Sequence, residues 1–330
     1  MLRGWWPTIQ NSLLEKVSAK YGVNPTSLKL LGGFDQNVYE CKAKGNNFIL
    51  KILSGTKYDI SSVKQELAWM NYLFEHGLNI SLPVRSVKGK FIEEMKWESE
   101  YYIVVAFEKA HGSVLADLHL ADLLTVKKWG EAMGRMHHVA KLYPTSRNSL
   151  VINKEWNNNS IFTEYPPIEK KVLDKWQTYI AELQLLDKDI NSYGMIHNDF
   201  HHHNFHVHEG EIILFDFGDI EKSWFAYDIA ISLYHAVQTI PSYEQIRRRD
   251  FTLRFYETFM SGYTNENLLD KYWLAKIPYF LDYRQIYSYV YTSKYMNIDH
   301  SNEKVNKVFK RMKYNIEHDI PFIDFNLHIG

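Results

Sequence analysis

The sequence predicts an α+β fold with two lobes, a small β-rich amino-terminal lobe and a larger helical carboxy-terminal lobe. Up to about residue 107, short apolar runs alternate with turn residues, as in a sheet. From residue 108 onward, apolar residues recur with helical spacing, and one hairpin-like segment near residues 196–215 interrupts the helices. The 330 residues suffice for two compact lobes, which we place at 1–107 and 108–330.

The amino-terminal lobe is predicted to contain a five-stranded sheet and one helix. Strand-like runs occupy residues 38–42, 48–53, 82–87, 91–95 and 101–107, and a short apolar segment before Gly32 leads into the first of them. Val63, Leu67 and Met70 recur at helical spacing, and Gly77 ends this helix. The carboxy-terminal lobe is predicted to have helices near residues 121–141, 168–186, 226–237, 244–262, 279–296 and 302–316.

Composition excludes several classes of protein. The formal net charge of -1 provides no basic surface for nucleic acid. A single cysteine, Cys41, excludes an intrachain disulfide and fits a reducing compartment. The first residues lack the apolar core of a signal peptide, and no apolar run approaches a membrane span. We therefore expect a cytoplasmic monomer or homodimer with neither nucleic acid nor membrane as a partner.

The chemistry is concentrated in the segment from His197 to Asn204 and the apolar run that ends at Asp216. Asp199 precedes Asn204 by five residues, and Asp216 follows the apolar run. Phosphoryl transfer from ATP requires a carboxylate for the acceptor hydroxyl and oxygen ligands for Mg²⁺ in this order. The order predicts Asp199 as the catalytic base, with Asn204 and Asp216 as the metal ligands. The alternative for Asp199 is a carboxylate that caps a turn.

Four residues of the amino-terminal lobe are candidates for binding phosphate. Gly32 and Gly33 lie between two apolar segments, where a turn can bring backbone N–H groups to phosphate oxygens. The alternative is an ordinary hairpin. Lys51 shares a strand face with apolar residues, and Glu66 lies beside the apolar stripe of the following helix. A Lys–Glu pair that presents the ammonium to phosphates is the functional interpretation, and a lysine at a strand edge is the alternative.

Two further patterns have competing interpretations. Six histidines between residues 197 and 208 suggest zinc, but zinc-ligand spacing is missing and only His206 and His208 share a strand face. Tyrosines recur every four residues from Tyr279 to Tyr291, with Asp282 and Arg284 beside them. A core-facing aromatic stripe is the simpler interpretation. The other is a wall for a cationic acceptor, with Asp282 and Glu221 as its carboxylates.

With these motifs, the chain resembles the aminoglycoside phosphotransferase/choline kinase family of small-molecule kinases from about residue 28 to 237. The resemblance is carried by residues 31–39, 48–52, 133–137, 197–204, 216–219 and 226–230. It implies a bilobal protein-kinase-like fold, ATP and Mg²⁺ as cofactors, Asp199 as base, Asn204 and Asp216 on Mg²⁺, and Lys51 on phosphates. The chain departs from the family pattern at Asn198 and at His202-His203, where Gly and a Pro-Gly pair are usual.

The predicted function is ATP- and Mg²⁺-dependent transfer of the γ-phosphate to a hydroxyl of a small molecule. The resemblance implies an amino alcohol, a homoserine-like or an aminoglycoside-like acceptor. The alternatives are a kinase-fold nucleotide-binding module with little turnover and an atypical protein kinase. No activation loop with an Ala-Pro-Glu end follows Asp216, which disfavours a protein kinase.

Overall fold

The computed structural model describes residues 9–33, 37–43, 45–115, 122–143, 154–295 and 303–327. These residues belong to two compact units, the first ending at His111 and the second beginning at Gly112. The first unit is built on a sheet and the second is mostly helical, so the predicted α+β class is confirmed. Across the described ranges, no helix combines the length and apolarity that crossing a membrane requires.

In its described residues, the first unit contains one antiparallel sheet of six strands. They are β1 (Lys29–Gly32), β2 (Val38–Ala43), β3 (Asn46–Ser54), β4 (Pro83–Val84), β5 (Ile92–Trp97) and β6 (Glu100–Glu108). The order is β1-β2-β3-β6-β4, and β5 also pairs with β6. Lys51 on β3 is paired with Val38 on one side and Val105 on the other. The lysine is therefore on an interior strand and not at a sheet edge.

Two helices accompany this sheet, α1 (Asn11–Tyr21) and α2 (Ile60–Glu75). Val17 and Tyr21 of α1 join the core cluster that contains Leu50. The helix α2 begins after Asp59, whose carboxylate accepts the backbone N–H of Ser62 at 2.9 Å, which is an ordinary amino-terminal cap. Both helices bury apolar side chains and therefore pack as part of the first unit.

The prediction of five strands and one helix for this unit was wrong in both numbers. The additional strand is β1, an edge strand with mostly exposed side chains and no strong alternating pattern. The predicted run 82–87 is present but shorter, as the two-residue strand β4. The helix α1 was missed although Leu13, Val17 and Tyr21 recur every four residues, all of them buried. Tertiary packing stabilises these weakly patterned elements.

The second unit contains seven of the described helices. They are α3 (Leu123–Lys141), α4 (Lys170–Gln184), α5 (Phe225–Gln238), α6 (Gln245–Glu266), α7 (Lys271–Ala275), α8 (Ile277–Tyr295) and α9 (Glu303–Glu317). Six occupy the predicted segments, and α7 is additional. The backbones of α3 and α6 are in close contact because Gly130 and Gly262 lie where they cross. A Cβ atom at either glycine would overlap a backbone oxygen of the other helix.

Short strands between these helices hold the polar motif. They are β7 (Ser113–Val114), β8 (Tyr193–Ile196), β9 (Phe205–His208), β10 (Glu211–Leu214) and β11 (Glu221–Trp224). The β9–β10 hairpin closes through Glu209 and Gly210, with φ of 51° and 81°, as a two-residue turn requires. At its open end, the N–H of Phe215 donates to the backbone oxygen of Asn204 at 3.1 Å. The hairpin thereby brings the two halves of the motif together.

Candidate active site

The residues from His197 to Asn204, here called the 197–204 loop, join β8 to β9. Asp228 on α5 fixes the start of this loop, since its two carboxylate oxygens accept the backbone N–H groups of His197 at 3.1 Å and Asn198 at 3.0 Å. Asn198 has a left-handed backbone, with φ of 66°. Farther along, the hydroxyl of Ser232 donates to the backbone oxygen of Phe200 at 2.5 Å. The helix α5 therefore sets the path of the loop.

Asp228 belongs to a buried polar network that extends to α3 and α6. Its Oδ2 lies 3.1 Å from Nε2 of His137, and both side chains are fully buried. Burial lowers the pKa of His137, so the neutral ring donates from Nε2 to Asp228. Nδ1 then accepts the hydroxyl of Tyr263 at 3.0 Å, and Asn267 donates to the same hydroxyl at 2.7 Å. The network connects the 197–204 loop to the helices α3, α5 and α6.

We expect Asp228→Ala to lower the free energy of unfolding by about 3–5 kcal/mol. The substitution leaves two buried N–H groups and His137 without their acceptor, and each such group costs about 1–3 kcal/mol. Urea denaturation of the variant and of the exposed-site control Asp324→Ala measures the effect. A loss no larger than that of the control would contradict the assigned role.

Asp199 is held at both of its carboxylate oxygens. Oδ2 accepts Nδ2 of Asn204 at 3.0 Å and lies 3.2 Å from Nε2 of His201. Oδ1 accepts Nη2 of Arg284 at 3.3 Å and lies 3.8 Å from Nε2 of His235. Burial alone would raise the pKa of Asp199, but the hydrogen bond from His201 and the neighbouring charges, Arg284 among them, hold it well below its ordinary value. The side chain remains 26% exposed, so an ionised carboxylate is accessible at this position.

Asn204 and Asp216 lie at the open end of the β9–β10 hairpin. The Nδ2 group of Asn204 donates to both the backbone oxygen and the carboxylate of Asp199. This side chain is therefore oriented with its amide nitrogen toward Asp199, which leaves its side-chain oxygen for another partner. Asp216 follows Phe215 with a left-handed backbone, φ of 62°, which is uncommon for a residue other than glycine. Unusual backbone conformations of this kind concentrate at functional sites.

The residues fit a hard divalent cation. Magnesium prefers oxygen ligands and commonly takes one or two carboxylates together with substrate phosphates and water. The side-chain oxygen Oδ1 of Asn204 accepts no hydrogen bond from any residue that the structure describes, and the Asp216 side chain is exposed. These two residues offer an amide oxygen and a carboxylate from the two chain segments that meet at the open end of the β9–β10 hairpin.

The histidines form a different cluster from the pair predicted by strand spacing. Within the described part of the chain, the group that could hold a metal is Asp199, His201 and His235. The backbone N–H of His203 donates to Nδ1 of His201 at 3.1 Å, so the proton is on Nε2, which faces Asp199. Nε2 of His235 accepts from Arg284 at 3.2 Å, and burial together with Arg284 lowers the pKa of His235. Both ring nitrogens nearest Asp199 are thus engaged in hydrogen bonds, which disfavours zinc.

The candidate phosphate-binding residues lie in the first unit. Lys51 is half-buried on β3, and Glu66 is 6% exposed on the apolar face of α2. A carboxylate this deeply buried requires a polar or charged partner. The burial of Glu66 fits a charged partner such as Lys51. The assignment of the two residues as a phosphate-positioning pair stays a prediction.

Gly32 and Gly33 have φ of 138° and 85°, a region that favours glycine. A Cβ atom on Gly33 would lie 2.6 Å from Oδ1 of Asn37, so the position is also sterically closed. The side chain of Asn37 donates to the backbone oxygen of Ile52 at 3.0 Å, which anchors the end of this segment to β3. The rest of the predicted turn, residues 34–36, lies outside the described residues.

The tyrosine stripe of α8 packs mainly into the core of the second unit. Tyr283 stacks on Trp176 with the rings 2° from parallel and 5.9 Å apart, and Tyr287 contacts Trp176 and Phe162. Asp282 accepts the backbone N–H of Phe322 at 2.6 Å and therefore ties the carboxy-terminal segment to α8. These contacts favour the interpretation of the stripe as a packing surface over that of a cation-binding wall.

Glu221 on β11 is buried, with 7% of its surface exposed. Burial raises the pKa of its carboxyl well above the ordinary value, and Asp219 adds to the increase, while Lys154 and Arg284 oppose it. Because its pKa is raised, this carboxyl keeps its proton to higher pH than an ordinary glutamate, and the neutral form does not attract an ammonium group. The predicted role of Glu221 as an acceptor-binding carboxylate is therefore weakened by its surroundings.

We expect Glu221→Gln to gain stability relative to the wild type as the pH rises from 5 to 8. The unfolded carboxyl ionises near pH 4.3, before the folded one, so each pH unit between the two pKa values costs the wild type about 1.4 kcal/mol. The glutamine variant lacks this penalty. Urea denaturation at several pH values, with the exposed Glu15→Gln as control, tests the trend. Parallel pH profiles for Glu221→Gln and wild type would show that Glu221 ionises normally.

Two residues that lie beside Asp199, His235 and Arg284, are not identified as site residues by the sequence patterns. His235 was not singled out, and Arg284 was noted only as a neighbour of the tyrosines. Arg284 is 11% exposed in its side chain and lies among aromatic residues of α8. A charged residue between Tyr283 and Tyr287 of the aromatic stripe is the signal that could have identified it.

Comparison with known proteins identifies the family of this chain. The profile of the phosphotransferase enzyme family matches residues 27–268, which include the sheet of the first unit and the 197–204 loop. The chain belongs to this phosphotransferase family. Amicoumacin kinase of Bacillus subtilis (strain 168) is 29% identical over 321 residues, which are 96% of this chain and 95% of that protein. The family predicted from the motifs is confirmed.

Solved structures of two kinases are similar to this chain over nearly its full length. Amicoumacin kinase hAmiN, in complex with AMP-PNP, Ca²⁺ and Ami, has a TM-score of 0.86 at 28% identity, covering 97% of this chain and 96% of that chain. A microcompartment-associated aminopropanol kinase has a TM-score of 0.72 at 17% identity, covering 93% and 95%, and shares the fold. This phosphotransferase therefore has the predicted protein-kinase-like fold and is an enzyme of the small-molecule kinase class.

Proposed function

We propose that this phosphotransferase transfers the γ-phosphate of ATP, with Mg²⁺, to a hydroxyl of a small molecule. The observation that carries the proposal is the double role of Asn204. Its side chain donates to Asp199, and its backbone oxygen accepts from Phe215, the residue before Asp216. Hydrogen bonds at the open end of the β9–β10 hairpin therefore connect Asp199, whose carboxylate suits a hydroxyl, to the two segments that supply Asn204 and Asp216 as proposed cation ligands.

In the second unit, Asp199 is the proposed base. Its ionised carboxylate accepts the proton of the acceptor hydroxyl, or orients that hydroxyl toward the phosphate, and its neighbours keep it ionised. Asn204 and Asp216 are the proposed Mg²⁺ ligands. Bound Mg²⁺ would neutralise charge on the phosphate oxygens.

In the first unit, Lys51 is the proposed phosphate ligand, with Glu66 as its partner. An ammonium on an interior strand has few rotamers available, so a carboxylate beside it would hold it ready for phosphate oxygens. Gly32 and Gly33 are proposed to shape the turn whose backbone N–H groups approach the triphosphate.

The choice of acceptor is supported by the relatives. Amicoumacin kinase matches nearly the full length of the chain, and the hAmiN complex contains a nucleotide analogue and a divalent cation. We therefore propose amicoumacin as the first acceptor to test, followed by amino alcohols, homoserine and aminoglycosides.

Acceptor-dependent ADP release, with mass spectrometry of the acceptor, tests the proposal. The wild type should release ADP and phosphorylate at least one acceptor of the panel only when Mg²⁺ is present. The exposed-site variant Asp250→Asn should match the wild type, and Asp199→Asn should not. Tight nucleotide binding without transfer to any acceptor would instead indicate a binding module.

A further inference from the structure

Arg284 contacts the proposed base from a helix that the motifs do not include. Its Nη2 atom donates to Oδ1 of Asp199 at 3.3 Å and to Nε2 of His235 at 3.2 Å. Its guanidinium lies 5.5 Å from the centre of the Tyr287 ring. The side chain is only 11% exposed, so these partners define its position.

The two carboxylate oxygens of Asp199 differ in the number of hydrogen bonds that they accept. An ionised carboxylate can accept about four hydrogen bonds. Oδ2 has two side-chain partners, Asn204 at 3.0 Å and His201 at 3.2 Å. Among the described residues, Oδ1 has Arg284 alone within hydrogen-bond distance, because His235 lies 3.8 Å away. One acceptor position therefore remains, on Oδ1, and Arg284 occupies the position beside it.

The guanidinium of Arg284 donates hydrogen bonds to two acceptors, Asp199 and His235. Arginine has only donors, so Nε2 of His235 must accept, which requires this nitrogen to be unprotonated. Burial favours the same neutral form of the ring. Arg284 is thus fixed between an acceptor on α5 and an acceptor on the 197–204 loop, and rotation of the Asp199 carboxylate would break its contact.

We propose that Arg284 is a positioning residue for the transfer reaction, holding Asp199 so that the free acceptor position of Oδ1 meets the substrate hydroxyl. The inference rests on the proposed function and adds a residue to it. Displacement of a reacting group by about 1 Å can cost on the order of 10²-fold in rate. Loss of Arg284 should therefore reduce turnover more than nucleotide binding.

The test compares Arg284→Gln and Arg284→Lys with the exposed-site control Arg254→Gln on α6. For a folded Arg284→Gln, we expect kcat to fall about 10- to 100-fold and KM for ATP to change less than about threefold. Arg284→Lys, which keeps one charged donor, should fall between this variant and the wild type. Added guanidinium at low concentration should partly restore kcat of Arg284→Ala, whereas equal sodium chloride should not. If Arg284→Gln does not fold, the lysine and alanine variants provide the same comparison.

The outcomes separate this inference from the proposed function. Absence of transfer by the wild type to every acceptor would overturn the proposed function and this inference with it. Transfer by the wild type with unchanged kcat in folded Arg284→Gln would overturn the inference alone. Equal losses of kcat and ATP binding, without guanidinium rescue, would show that Arg284 is merely structural.

Discussion

Replacing Asp199 with Asn is expected to lower the rate of phosphoryl transfer by about 10²–10⁴-fold while ATP still binds. The amide cannot take the proton of the acceptor hydroxyl, and general-base catalysis contributes about this much. The substitution also places an amide where Asn204, His201 and Arg284 all surround a carboxylate, so one of these contacts becomes less favourable. Steady-state kinetics of acceptor phosphorylation, together with calorimetry of nucleotide binding, measures the two effects separately.

The matched control is Asp250→Asn, an exposed carboxylate on α6. Thermal melting of both variants shows whether a loss of activity comes from a loss of fold. Near-normal turnover by a folded Asp199→Asn protein would remove Asp199 from the mechanism. A parallel loss of turnover and nucleotide affinity would point to a role in nucleotide binding instead.

Replacing Asp216 with Ala is expected to weaken Mg²⁺-dependent nucleotide binding by more than about tenfold, or about 1.4 kcal/mol. The carboxylate is the proposed charged ligand that offsets the cation beside the phosphates. The backbone of Asp216 is left-handed, a conformation that asparagine tolerates better than alanine. Asp216→Asn therefore removes the charge with less backbone strain and serves as the second variant.

Isothermal titration calorimetry with ATP, in Mg²⁺ and in EDTA, provides the measurement. Affinity that is unchanged by both substitutions and by EDTA would exclude Asp216 as a metal ligand. Activity of EDTA-treated protein that returns with zinc and not with magnesium would instead favour the cluster of Asp199, His201 and His235 as the metal site.

Local sequence patterns were sufficient to predict the fold class, the helical segments of the second unit and the grouping of the motif residues. These features depend on local periodicity and on short spacings within strands, helices and one hairpin. The five-residue spacing of Asp199 and Asn204 was enough to predict that they act together, and a direct hydrogen bond joins them. The roles of Lys51, Glu66, Gly32 and Gly33 remain predictions, since their chemistry requires a bound nucleotide.

The other groups that surround Asp199 come from distant parts of the chain and could not be predicted from local patterns. Arg284 is 85 residues away in the chain, and its contact with Asp199 depends on the packing of α5 against α8. Its sequence neighbourhood indicates a core helix, because the tyrosines around it do pack against Trp176. The hydrogen bonds from the 197–204 loop to Asp228, and from Asp228 to His137, likewise depend on how α3 and α5 pack around the loop. A one-dimensional pattern records which residues share a face of one element, whereas hydrogen bonds between elements depend on how the faces meet.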